Sequence, residues 1–253
     1  MILSVPSYVI PGTYAENLRF LADKPEVEGV ELLFYLWDAE VAGLLDRELA
    51  EIRSFMDRFR FTAHLPDRIL PEHRVLLDRI ADTARSFVVH PPSDLDGLAP
   101  FADLLSVWKS GFGDRFFLEN LRSEPFGRAL RVLPDIPLCV DAGHILAEGG
   151  DPAELLARLR STGRRIEELH LHGLSGDADH QPFGEGASWL RDLAPFLAGF
   201  DGVAEIELFD WEEARTALAA VRRAGVEAAA SEAAAGPRSG RTARAAAPGK
   251  ETE

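Results

Sequence analysis

Short β-branched or aromatic runs alternate with longer stretches of helical periodicity from residue 2 to residue 223, and no other property narrows the fold as much. The runs at 2–5, 29–34, 60–64, 86–90, 115–119, 137–141, 167–172 and 204–208 read as strands. Between and after them, 14–22, 46–59, 72–83, 98–109, 126–132, 152–161, 188–197 and 212–223 carry apolar residues at spacings of three and four. Strands that each return through a helix form a parallel sheet. A doubly wound sheet needs only five or six of them, so eight in about 225 residues predict a closed (β/α)8 TIM barrel forming a single domain over residues 1–225. The first strand is followed by neither a P-loop nor a glycine-rich dinucleotide fingerprint.

Composition matters at the C-terminus. After Val226 no large apolar residue remains in the 253-residue chain, so 226–253 cannot bury enough surface to offset its ordering entropy and reads as a disordered tail. A short Ala-rich helix can form near its start. The tail's acids and bases cancel, so residues 1–225 carry the whole net charge of −15. That charge excludes broad attraction to nucleic acid or anionic lipid. No apolar run approaches the roughly 18 residues of a membrane span. Met1–Pro6 lacks the basic and apolar regions of a signal peptide, and Cys139 is the single cysteine, which together predict a cytoplasmic location. Oligomeric state is not legible.

In such barrels chemistry sits at the C-terminal ends of the strands. There the chain concentrates imidazoles and carboxylates. His64 and His90 end the third and fourth strands, His144 follows the sixth by one turn, His170 and His172 end the seventh, and His180 lies in the loop beyond. Glu31, Glu119, Asp141 and Glu207 occupy the second, fifth, sixth and eighth. His73, in a helix, reads as a plain surface residue. A buried ring of this kind needs metal or mutual pairing to offset its desolvation. Alternation turns Glu168, His170 and His172 inward on strand seven, and Glu205 and Glu207 inward on strand eight. His170 and Glu207 are first-choice ligands; His172 and Glu205 are either ligands or partners that orient them. Cys139 shares the parity of Asp141 and reads as a core thiol.

The motifs GVEL (29–32), AHLPD (63–67), VVHPP (88–92), LEN (118–120), DAGH (141–144), HLHG (170–173), DHQPFGEG (179–186) and IEL (206–208) resemble the xylose-isomerase-like TIM-barrel superfamily. That group includes sugar isomerases and epimerases and zinc-dependent apurinic endonucleases. The resemblance implies a metal set of Glu119, Asp141, His170 and Glu207, extended in the endonuclease-like branch by His64, His90, His144 and the pair Asp179–His180. That branch separates its Asp and His by one residue, which leaves Asp177 as an alternative ligand. The extended set implies two or three ions, zinc rather than manganese. Ser7–Tyr8, the ENLRFLA helix (16–22), ELLFY (31–35) and AHLP (63–66) most resemble cobamide-remodelling phosphodiesterases. The implied reaction is hydrolysis of the nucleotide-loop phosphodiester of a corrinoid to cobinamide phosphate and a base riboside, with Glu119 and Glu207 as catalytic carboxylates.

Asn120, Arg122 and Ser123 are candidate phosphate or ribose contacts. Tyr8, Phe34, Tyr35, Trp37 and Phe183 either cover a large ligand or pack between loops and rim. The surplus of histidines favours hydrolysis, because isomerisation needs one metal (manganese suffices) and two proton-exchanging carboxylates. A sugar or sugar-phosphate isomerase is the alternative. An apurinic endonuclease ranks below it, since Arg68, Lys109, Arg115 and Arg122 form no basic stripe. A barrel that keeps metal without catalysis is a third possibility.

Overall fold

A computed structural model describes residues 1–176 and 178–235. Eight parallel strands close into a barrel: β1 (Ile2–Pro6), β2 (Gly29–Leu33), β3 (Arg60–His64), β4 (Phe87–Val89), β5 (Phe116–Glu119), β6 (Leu138–Asp141), β7 (Ile166–Leu171) and β10 (Val203–Ile206). They neighbour one another in chain order, and β10 pairs with β1 to close the ring. Between β7 and β10 lies an antiparallel hairpin, β8 (Gly173–Ser175) and β9 (Ala178–Gln181). The helices are α1 (Tyr14–Leu21), α2 (Ala39–Ser54), α3 (Arg74–Ile80), α4 (Leu98–Phe112), α5 (Ser123–Val132), α6 (Ala142–Ala147), α7 (Pro152–Ser161), α8 (Ser188–Ala198) and α9 (Trp211–Ala235). The molecule is thus a single (β/α)8 barrel. None of these helices is long and apolar enough to cross a membrane.

Strand alternation separates two interiors. Leu3, Val5, Val30, Leu32, Phe61, Ala63, Leu118, Val140, Leu169 and Ile206 are buried with one parity and belong to the apolar core shared with the helices. The opposite parity carries Ser4, Glu31, Thr62, His64, Glu119, Asp141, Glu168, His170 and Glu205, also buried. Most barrels of this type fill that lumen with branched aliphatics. Here it is polar, which places the chemistry inside the barrel as well as at its mouth.

Several elements depart from the sequence expectation. α2 begins at Ala39 rather than 46, because Asp38 caps it by accepting from the backbone N–H groups of Glu40 and Val41. The segment expected as one helix over 72–83 is a 3-10 turn, Pro71–His73, followed by α3. His73 is accordingly no surface residue: it is buried, and its Nδ1 accepts the Leu70 N–H at 3.2 Å. Two helices, not one, follow β6. The last helix continues to Ala235, so the opening of the expected tail is helical; its remainder, 236–253, lies outside the described residues.

Candidate metal centre

Glu119 is the hub. It ends β5, is buried, and its Oε2 lies 3.1 Å from both His64 Nε2 and His90 Nε2. Its Oε1 faces His144 Nδ1 at 3.5 Å and His170 Nδ1 at 3.6 Å. Burial drives its carboxyl upward, but His170, His90 and His144 outweigh that and hold it well below the usual carboxylate range.

His64 reveals what the cluster lacks. Its Nδ1 lies 2.8 Å from the Leu65 carbonyl, an acceptor only, so Nδ1 carries the proton. In neutral imidazole that leaves a lone pair on Nε2 aimed at a carboxylate oxygen. Two acceptors at 3.1 Å need a cation between them, either an added proton or a metal ion. The same question arises at Asp141 Oδ2, His144 Nδ1, both ring nitrogens of His170, and Glu207 Oε2, all buried without a hydrogen-bond partner among the described residues. The donor set, its burial and these orphaned atoms fit a divalent-metal centre.

Local structure aims each donor. Asp141 is the last residue of β6 and the N-cap of α6, accepting the His144 N–H on Oδ1 at 2.7 Å. One carboxylate thereby fixes His144 and keeps its second oxygen for the centre. Asn120 exchanges two 2.9 Å hydrogen bonds with the Asp141 backbone, extending the β5–β6 ladder by a side chain. Its amide thereby positions Asp141, and one N–H and one lone pair remain beyond these two bonds. Glu207, just past β10, accepts from Tyr35 Oη at 2.6 Å on Oε1, and its Oε2 lies 3.4 Å from His170 Nδ1. His170 and His180 hold Glu207 low despite burial. Tyr35 also packs edge-on against His64 at 4.7 Å, and burial beside Glu207 pushes its phenol well up, so it remains a donor. Sequence reasoning placed Tyr35 among the mouth aromatics that cover a ligand or pack between loops and rim; nothing in its spacing distinguishes it from Phe34 and Trp37, which pack on each other, or Phe183, which packs on Trp189.

At the hairpin, His180 Nε2 reaches Glu207 Oε1 at 3.5 Å and its Nδ1 lies 3.1 Å from Asp179 Oδ1. Asp179 is more than half exposed and holds the imidazole from outside. Burial lowers His180, but Glu207 and Asp179 prevail and raise it to about 9. His172 Nδ1 accepts the His180 N–H at 2.9 Å and also lies 3.2 Å from the Gly173 carbonyl, while its Nε2 lies 3.3 Å from Asp141 Oδ1. Its ring stacks on His180 at 4.2 Å and 12°. His172 lies with His144 and His180 in one potential ligand group and also beside Asp141, so its place suits either a ligand or a partner that orients them. Asp177 lies outside the described residues.

Deeper in the lumen, Glu31, Glu168 and Glu205 are fully buried; burial raises Glu168 to about 8 and lifts Glu205 well above the usual range. Glu31 Oε1 lies 3.6 Å from His170 Nε2. Cys139 is also buried, and its thiol, pushed up by burial, lies close to Glu119 and His170. At the rim Asp67, absent from the sequence-derived set although AHLPD contains it, lies 3.6 Å from His90 Nδ1. Burial lowers His90, but Glu119 and Asp67 outweigh it and raise it to about 10. Arg122 is exposed at the start of α5 and makes no side-chain hydrogen bond among the described residues, Ser123 is bound to Glu148, and Tyr8 is nearly half exposed beyond β1. None of these three is drawn into the cluster.

Neither a protein-family model nor a curated protein sequence matches the chain. Solved structures do. A D-tagatose 3-epimerase-like protein superposes with TM-score 0.65 at 19% identity, over 92% of this chain and 100% of that one. The IolI protein with a bound zinc gives 0.61 at 14%, over 91% and 97%. Endonuclease IV from Thermus thermophilus gives 0.58 at 17%, over 90% and 100%. The chain therefore shares its whole barrel with proteins bearing epimerase-like and endonuclease names.

Proposed function

We propose that the protein is a metal-dependent phosphodiesterase with two or three zinc ions, and that its substrate is the nucleotide-loop phosphodiester of a corrinoid. The observation that carries the hydrolase reading is Glu119 shared between two imidazole sets. Oε2 with His64 and His90 would hold one ion, and Oε1 with Asp141 and His144 a second. His144, His172 and His180 form a third group, and His170 and Glu207 lie 3.4 Å apart beside them. Ions bound there would supply Lewis acidity toward phosphate oxygens and lower the pKa of a water. The chain's own residues set the geometry: Asn120 fixes Asp141, Tyr35 fixes Glu207, and Asp179 holds His180 from the solvent side.

An epimerase would use Glu119 and Glu207 as a proton-exchanging pair, and such a pair works best near neutral pKa. Here four imidazole nitrogens crowd Glu119, more than one chelating metal and a carboxylate pair would use. The corrinoid assignment rests on the motif resemblance and the acidic barrel, which disfavours duplex DNA. Purified protein should contain two to three zinc per chain and release cobinamide phosphate from adenosylcobalamin or pseudo-cobalamin. One manganese per chain with interconversion of ketose epimers would overturn the hydrolase reading. Cleavage of an abasic duplex with corrinoids untouched would overturn the substrate.

A further inference from the structure

Below the metal centre the lumen carries a second polar layer that none of the roles above uses. Glu168 precedes His170 by two residues on β7, and Glu205 on β10 precedes Glu207 by two. Each shares the inward parity of its neighbour and lies about 6–7 Å deeper along the strand. β7, β10, β1, β2 and β3 are contiguous staves of the barrel, and they contribute in turn Glu168, Glu205, Ser4, Glu31 and Thr62. Register aligns them across neighbouring strands: Ser4 stands opposite Glu205, and Glu31 opposite Thr62. One ligand atom each of Glu31, Glu168 and His170 lies within 4.8 Å of the other two.

This layer has acceptors in excess and no fixed cation. No lysine or arginine is buried among the described residues. Ser86 Oγ donates to Glu168 Oε2 at 3.4 Å. Glu168 Oε1 and both oxygens of Glu31 and Glu205 have no hydrogen-bond partner among the described residues. The Ser4 hydroxyl lies beside Glu205 and the Thr62 hydroxyl beside Glu168, yet neither meets a partner in hydrogen-bonding geometry. All five side chains are buried. His170 does not fill the need: its Nδ1 is turned to Glu119 and Glu207, and its Nε2, 3.6 Å from Glu31 Oε1, brings one proton at most. Protonating the carboxyls adds one donor each and leaves most of the acceptors unmet. A cation among them meets several oxygens at once. Five carboxylate oxygens and two hydroxyls suit a hard divalent ion, which takes about six to eight oxygens, and not zinc, which takes about four ligands rich in nitrogen or sulfur.

We propose that this layer is a second cation site, separate from the centre at the mouth, in which Glu31, Glu168 and Glu205 hold one hard divalent ion together with the Ser4 and Thr62 hydroxyls. It does not rest on the hydrolase reading, because it concerns ion binding deeper in the lumen and is read from metal content. Manganese(II) is the probe: it is hard, oxygen-seeking and visible by electron paramagnetic resonance. The full chain is charged with manganese, given the two to three zinc equivalents proposed for the mouth, and desalted. One manganese per chain should remain beside the zinc. Glu168→Gln and Glu205→Gln each remove one charge and should weaken manganese binding by about tenfold or more, with zinc content unchanged. Thr62→Val keeps the side-chain shape and should weaken it in the same direction. Glu119→Gln at the mouth should do the reverse, lowering zinc and keeping manganese. No manganese retained by the wild type, equal affinity in the wild type and the lumen variants, or manganese lost only with Glu119→Gln overturns the proposal. So does a protonated-carboxyl infrared band that manganese leaves in place. Manganese retained in a protein that cleaves no phosphodiester supports this site and overturns the hydrolase reading alone.

Discussion

Glu119 illustrates how much one side chain can hold. Four imidazole nitrogens lie within 3.6 Å of its two oxygens, and its charge is what each of them answers to. Glu119→Gln keeps the shape and removes the charge and one acceptor. On the proposed zinc-hydrolase reading, zinc content should fall by at least one equivalent per chain and turnover should drop more than about 100-fold, because the carboxylate shared between two ligand groups is lost rather than an outer partner. Elemental analysis checks the first and a phosphodiester assay the second; full zinc occupancy in the variant would refute the bridging role. Tyr35→Phe removes only the 2.6 Å bond to Glu207. Loss of such an outer partner lowers metal affinity by about 10- to 100-fold, readable by competition with a chromogenic chelator. His64, His90 and His170 were legible in the sequence because each sits at a strand end with inward parity. Tyr35 was not, because it follows the end of β2 in a loop whose path no periodicity encodes. His172 carried the right parity, but its role depends on which nitrogen holds the proton, and that is set by backbone groups of Gly173 and His180 in the hairpin, which no periodicity encodes.

Elements deliver these side chains, and the ones that do the finest positioning were the least legible. The six residues of α6 are too few to show helical periodicity, yet they carry His144 and run directly off β6 through the Asp141 cap. The β8–β9 hairpin that brings in His180 reads as a polar loop; its turn passes through Gly176 at φ +60°, and His180 itself takes φ +50°, a conformation uncommon for a side chain of its size. Gly143 in α6 has a plainer steric role. A Cβ there would overlap the His172 ring, so the helix can lie against that imidazole only with glycine at this place. Gly143→Ala should cost about 1–3 kcal/mol of stability by overpacking and displace His172 from Asp141. Denaturant melts would report the first, and a shifted His172 imidazole resonance the second. An unperturbed resonance with wild-type stability would show that the helix can move aside. The eight barrel strands, by contrast, were placed to within two residues at each end, because each is a compact apolar run bounded by turns.

At the scale of the whole molecule, the barrel is a container whose polar lumen must be charge-balanced by protons when metal is absent. The pH dependence follows from that. In the metal-free fold His90 is raised to about 10 and His180 to about 9, above the roughly 6.5 of an unfolded histidine. Glu168 is raised to about 8, above the roughly 4.3 of an unfolded glutamate. In all three the folded state holds its proton more tightly than the unfolded state does. Their contribution is fully present below the unfolded values and is lost as pH rises, through about 8 for Glu168 and about 9 to 10 for the two histidines. Surface carboxylates are already ionised throughout that span, so the interior dominates the change. The chelated protein should therefore melt at progressively lower temperature from about pH 6 to about pH 10. If the proposed zinc centre forms, the dependence should reverse, because the metal would take the nitrogens that protons occupy and bind more tightly as they leave. The rise in melting temperature on adding zinc should grow with pH over the same span. Calorimetry of chelated and zinc-loaded protein at matched ionic strength separates the two curves. A metal-free melting temperature that stays level or climbs between about pH 6 and pH 9 would mean that the buried carboxylates and imidazoles do not share their protons as this geometry requires.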